Sequence, residues 1–295
     1  MRSAKVVKIL VVHNNERDRL AYLTPRLRHL IEGLKAAGTG ASLQLVGPDV
    51  DLIAENRFDD DFPNRLRRAI EASSMFYSAA VDNPRLTWRH KRLLQYARHF
   101  AVHLMRYRRS IRIEQEVLYA HAFCWRESVR AGEQAIVLES DAIVHEHTLA
   151  GLLAILKYLQ SSCASTARHY VDLAGGCDRD RTLSSWCFKN EYGCKDIEMS
   201  VDGRKLILHK LPRLTPNTVG GYLISPALAA DLLTFVQDTR PMLPPDWALN
   251  SFAARGRDAD VLCIHTSPTL FSQGSSVGAY RSTIGRARWE REIQA

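Results

Sequence analysis

The chain has no CxxC pair, no low-complexity tract, no internal repeat and no apolar run approaching the roughly 18 residues that span a bilayer. The first absence argues against a zinc ribbon or knuckle, even though Cys177, Cys187 and Cys194 share one segment. The last argues against a membrane-spanning helix. No Pro/Gly/Ser-rich linker divides the 295 residues, which favours one domain over two in tandem. Acids are missing where bases crowd. From Arg85 to Arg112 there are nine Arg or Lys and three His, with no Asp or Glu between them.

What is present reads as an ordinary globular protein, with 46% hydrophobic and 24% charged residues. The opening stretch carries Lys8 inside its apolar part and lacks a small-residue cleavage site, so it reads as a first strand and not a leader. This sets the expectation of a cytoplasmic protein, and with it free, buried thiols for the six cysteines. A net charge of +8 points to an anionic partner.

Within the basic stretch, Leu93, Leu94, Ala97, Ala101, Leu104 and Met105 recur at helical spacing, with Trp88, Tyr96, Phe100 and Tyr107 among them. Such a helix either packs on a core with a solvated outer face or lies on an anionic membrane surface. Nucleic acid is a third and weaker partner, since no recognised binding motif accompanies the charge.

Strands are expected at 8–13, 42–46, 134–138, 169–173, 205–210, 219–224 and 261–264. Helices are expected at about 20–37, 113–130, 148–160, from Pro226, and at 247–254. Residues 14–19 read as a polar loop and 178–202 as a polar excursion. Alternating strands and helices imply an α/β fold with a mostly parallel sheet and helices on both faces. The charged segment 49–112 then forms an inserted basic helical lobe.

The apolar run from Gln134 to Leu138 stops on Glu139, Ser140 and Asp141. Carboxylates at the end of a buried strand stand where open α/β sheets bind ligands, and they suit Mg²⁺ or Mn²⁺ shared with a substrate phosphate.

Several segments in order resemble glycosyltransferase family 25, which includes lipooligosaccharide and collagen galactosyltransferases. They are the loop from His13 to Arg19; Glu114, His121 and Trp125; Leu138 to Ala142; Thr218 to Ser225; Asp246 with Trp247; and Pro268 to Gln273 followed by Ser282 and Ile284. Glu116, Ala120 and Ser140 depart from the family pattern, as in a divergent member.

The resemblance implies a GT-A-like, Rossmann-like fold and an inverting transfer of a hexose, galactose foremost, from a UDP-sugar to a saccharide of bacterial lipooligosaccharide or lipopolysaccharide. It implies a divalent metal (Mn²⁺ or Mg²⁺) with Asp141 as first ligand and Glu139 as a second ligand or a ribose partner; His265, at the end of the last strand, either completes the shell or is structural. Asn14 and Glu139 would bind the donor; Arg17 and Arg19 either hold its diphosphate or are solvated loop charges, and Gln273 either binds the donor or closes a loop by hydrogen bonds. Asp246 would be the catalytic base, although helix N-cap is an equal reading of that residue. His121 is either a substrate contact or a buried structural histidine. The alternatives are a non-catalytic relative that binds glycans or nucleotide sugar, and a basic α/β protein binding nucleic acid or membrane.

Overall fold

The computed structural model describes residues 6–14, 16–47, 61–81, 89–102, 104, 111–161, 168–175, 195–211, 213–214, 219–275 and 277–280. The expectations for Cys177, Cys187 and Cys194, for Arg85, for Thr218, for Ser282 and Ile284, and for the tail beyond Tyr280 lie outside these residues.

An eight-stranded sheet forms the centre, ordered β2-β1-β3-β8-β5-β9-β7-β6. The strands are β1 (Val6–Val12), β2 (Gly40–Val46), β3 (Gln134–Glu139), β5 (His169–Asp172), β6 (Lys195–Val201), β7 (Arg204–Leu211), β8 (Gly221–Ile224) and β9 (Leu262–Ser267). A two-stranded ribbon of β4 (Ala142–Val144) and β10 (Phe271–Gln273) sits beside it.

Only β7 and β8 run against the rest. The sheet is therefore mixed: parallel pairing joins β2, β1 and β3, and β5 with β9, while the other neighbours are antiparallel. The antiparallel pairs have two sources. Strand β8 inserts between β3 and β5. Strands β6 and β7 form a hairpin across Asp202 and Gly203, both with positive φ (49° and 73°), the backbone of a tight two-residue turn. The first of those strands occupies residues expected to be an irregular excursion.

Helices cover both faces. Helix α1 (Arg17–Ala36) and α5 (Thr148–Ser161) bury Leu23, Leu27, Leu34, Leu152 and Ile155 on Ile9, Val11, Ile136 and Leu138. On the other face, α4 (Ile111–Ala131), α6 (Pro226–Thr239) and α7 (Pro245–Ala254) pack Trp125, Leu228, Phe235 and Phe252 on Leu10, Val137 and Tyr222. Strands buried from both sides need apolar residues at every position, which is why 134–138 reads as an unbroken run. Helix α6 starts where its sequence says: Pro226 occupies the first turn, and Ser225 caps it by accepting from the Leu228 N–H at 3.3 Å.

The basic segment contributes α2 (Phe62–Val81) and α3 (Arg89–Ala101). Helix α2 is tied to the body by side chains. Arg68 and Glu114 form a buried ion pair, Arg67 donates to the carbonyls of Thr239 (2.6 Å) and Arg240 (2.8 Å), and Glu71 accepts from the Met242 N–H at 2.7 Å. Among the described residues Cys124 and Cys263 are buried and in no disulfide, and no helix is long and apolar enough to cross a membrane.

Candidate functional site

Strand order reverses at β1. The chain moves outward to β2, then returns to place β3 on the opposite side of β1. Ligands of open α/β sheets bind at such a switch point, beyond the carboxyl ends of the strands. Here that edge carries the residues following β1 and β3, and Glu16 meets Ser140, between Glu139 and Asp141.

Asp141 is almost fully buried, with 4% of its surface exposed. The Ser275 N–H donates to Oδ2 at 3.0 Å and the Gly274 N–H to the Asp141 carbonyl at 2.8 Å. Oδ1 is buried with no hydrogen-bond partner among the described residues. Burial pushes the Asp141 carboxyl above its ordinary range, and the charge of Glu139 pushes the same way; Ser275 and Arg19 oppose them. A buried carboxylate oxygen with no donor is costly unless a cation or a ligand meets it.

Glu139 is partly exposed, and Gln273 donates to its Oε2 at 3.0 Å. The expected donor-binding residue Gln273 is thus brought to the expected metal-binding acid, through the β4–β10 ribbon. Gly220 lets Gln273 in: a Cβ there would lie 3.3 Å from the Gln273 side chain.

Ser140, where the family pattern has an acid, donates to Glu16 Oε2 at 3.3 Å. Glu16 also accepts from the Asn14 N–H at 2.8 Å and lies 3.7 Å from Arg19. The fold therefore carries a carboxylate from the β1 side to the position beside Ser140. Arg17 and Arg19 are not in a loop, as 14–19 had suggested; both lie in the first turn of α1. Arg19 stacks over the Tyr280 ring at 5.4 Å, within electrostatic reach of Asp141. Arg17 and Asn14 are exposed at the same helix start, where backbone N–H groups and the helix dipole favour anions.

His121 belongs to a buried chain of donors. The Trp125 indole N–H can only donate, and it does so to the Tyr222 hydroxyl at 2.8 Å. The same hydroxyl is hydrogen-bonded to His121 Nδ1 at 2.9 Å, and His121 Nε2 lies 3.9 Å from Glu139 Oε1. This histidine is fully buried, as one reading of its apolar neighbours expected, yet its Nε2 faces the acid at the site.

Asp246 reaches the same edge by topology. Strand β8 ends at the opposite edge, where the Ser225 N–H meets the His169 carbonyl. Helix α6 returns from there, α7 begins at the acid-bearing edge, and the chain runs back to enter β9 beside Arg168. The N-cap of α7 is Pro244, and no side chain caps it, so Asp246 is a first-turn residue and not the cap. The bonds from Arg67 and Glu71 hold the segment just before it.

The expectation for His265 is corrected. It lies on β9, three strands from β3, on the order of 14 Å across the sheet. Its register partners are Asp172 and His209, and its Nδ1 is 3.8 Å from Asp172 Oδ2. It does not stand in one ligand set with Asp141 and Glu139. Among the described residues no group of three or more His, Cys, Asp or Glu could hold a metal ion. The donor set is two carboxylates, which suits a cation that keeps waters and shares substrate phosphate oxygens.

Burial holds the His265 imidazole below its usual 6.5, with His209 adding to the effect and Asp172 opposing it. The unfolded chain therefore takes up a proton that the folded chain refuses, and stability falls as pH drops from 6.5 towards the folded value. His265→Asn is expected to flatten that loss, read from urea midpoints across the window. Asp172, raised by burial, acts in the opposite sense: its contribution is present at low pH and is lost as pH rises through its folded value.

No protein-family model matches the chain, and no curated protein matches it.

Proposed function

We propose that this chain is an inverting, divalent-metal-dependent glycosyltransferase of GT-A-like fold. It moves a hexose, galactose foremost, from a UDP-sugar to a saccharide acceptor of bacterial lipooligosaccharide or lipopolysaccharide. The observation that carries the reading is the pair Glu139 and Asp141 at the switch-point edge, with Asp141 Oδ1 buried and unmet among the described residues. The family resemblance supplies the donor and acceptor classes.

Asp141 and Glu139 would hold Mn²⁺ or Mg²⁺, which when bound neutralises charge on the departing diphosphate. Gln273 orients the Glu139 carboxylate through its hydrogen bond, with His121 Nε2 facing it at 3.9 Å. Arg19 and the start of α1 attract the anionic donor. Asp246 takes the proton of the acceptor hydroxyl as its oxygen bonds to the anomeric carbon and the bond to the diphosphate breaks, releasing UDP. Positioned proton transfer of this kind contributes about 10²–10⁴-fold in rate.

Asp246→Asn is accordingly expected to lower kcat by about 10²-fold or more while leaving the affinity for UDP unchanged. A panel of UDP-hexoses with deacylated lipooligosaccharide acceptors, followed by UDP release, measures it. Unchanged turnover in Asp246→Asn would remove this residue from the chemistry. Ser140, standing in place of an acid, favours one second reading, a relative that binds nucleotide sugar without turning it over. Metal-dependent UDP binding without transfer to any acceptor in the panel would select it.

A further inference from the structure

Helix α3 is turned inside out relative to an ordinary core-packing helix. Tyr96 and Phe100, one turn apart, are partly buried and stack with ring centroids 6.4 Å apart. Leu93 and Leu94 face outward instead, with 66% and 67% of their surface exposed, and Ala97 is exposed beside them. Two adjacent leucines left in water are a cost that a soluble helix avoids, and an exposed apolar patch marks a contact surface. The same helix carries Arg89, Lys91, Arg92 and Arg98 and no acid. Exposed leucines on a helix whose only charged residues are cations, Arg98 among the exposed ones, are complementary to a bilayer containing anionic lipid, where leucines enter the acyl boundary and cations meet headgroups.

We propose that α3 docks this protein on an anionic membrane surface, Leu93 and Leu94 inserting. The lobe also sets where the membrane lies. Helix α3 packs on α2, and α2 is bonded through Arg67 and Glu71 to residues 239–242, immediately before the helix of Asp246. A lipid-linked saccharide in that bilayer would present its sugars at the edge holding Glu139 and Asp141. This last consequence rests on the glycosyl-transfer reading; the docking itself does not.

The test is co-sedimentation of the full chain with vesicles of phosphatidylcholine alone or mixed with phosphatidylglycerol. UDP titration of the same samples serves as an independent readout. Expected is binding to the mixed vesicles at least about tenfold tighter than to the neutral ones at low salt. That binding is lost at roughly 1 M salt, where the screening length is about 3 Å. In the double variant Leu93→Asn, Leu94→Asn, vesicle binding should fall about tenfold with the thermal midpoint and the UDP titration unchanged. Equal binding to both vesicle types, parent-like binding by the double variant, or displacement from the vesicles by a DNA duplex would each overturn the proposal.

Discussion

Replacing Asp141 by Asn is expected to leave the protein as heat-stable as the parent or more so, and to abolish its response to Mn²⁺. The two effects have one cause. Burial and the neighbouring Glu139 charge raise the Asp141 carboxyl above the ordinary 3.8. A raised folded value means that stability is present below 3.8 and lost as pH rises through the folded value, so above it the carboxylate weighs against folding. Asn removes that charge and still offers an oxygen to the Ser275 N–H. It also removes the oxygen that a cation would meet.

With Mn²⁺ and UDP at about 100 times their dissociation constants, the parent should gain about 2.7 kcal/mol, or roughly 5 °C in Tm for a chain of this size. The variant should gain nothing. Thermal melts of both proteins with and without ligand check this. A midpoint several degrees lower in the unliganded variant would make Asp141 a structural acid and not a ligand.

Arg68→Ala is expected to cost about 3–5 kcal/mol, among the largest single-residue effects on stability in the chain. Arg68 and Glu114 are both about 1% exposed, and truncating one strands the charge of the other. The pair joins α2 to α4 beside the bonds that hold 239–242, so its loss also frees the lobe from the edge of the site. Replacing both partners by apolar residues of similar volume, Arg68→Met with Glu114→Leu, removes the stranded charge and should recover most of the loss. Urea midpoints of the two variants separate the cases: if the double variant is as unstable as Arg68→Ala, the pair contributes packing and not charge compensation.

These two residues illustrate what the sequence carried and what it did not. The strand at 134–139 was legible because burial on both faces leaves an unbroken apolar run, and its terminal acids were legible because they interrupt that run. Helix α6 was legible from Pro226. Strand β6 also had its signal, since Ile197, Met199 and Val201 alternate with polar residues before Asp202 and Gly203, but in a polar segment it read as irregular. Strands β4 and β10 have three residues each, too few for any periodicity. The first apolar residue, Leu20, marks the start of α1 in the sequence, whereas the helix begins one charged turn earlier, with Arg17 and Asp18.

Long-range partners left no local trace. Glu16 meets Ser140 across 124 positions, Gln273 meets Glu139 across 134, and only the sheet order brings them together. The same order separates His265 from Asp141, which composition and spacing could not foresee.

The most direct test of the account is titration calorimetry of the full chain with UDP, in the presence and absence of Mn²⁺. Binding that requires the metal is the predicted result, because two carboxylates need the diphosphate to complete a cation's shell. Failure to bind UDP at millimolar concentration in both conditions would contradict a UDP-sugar site at this edge.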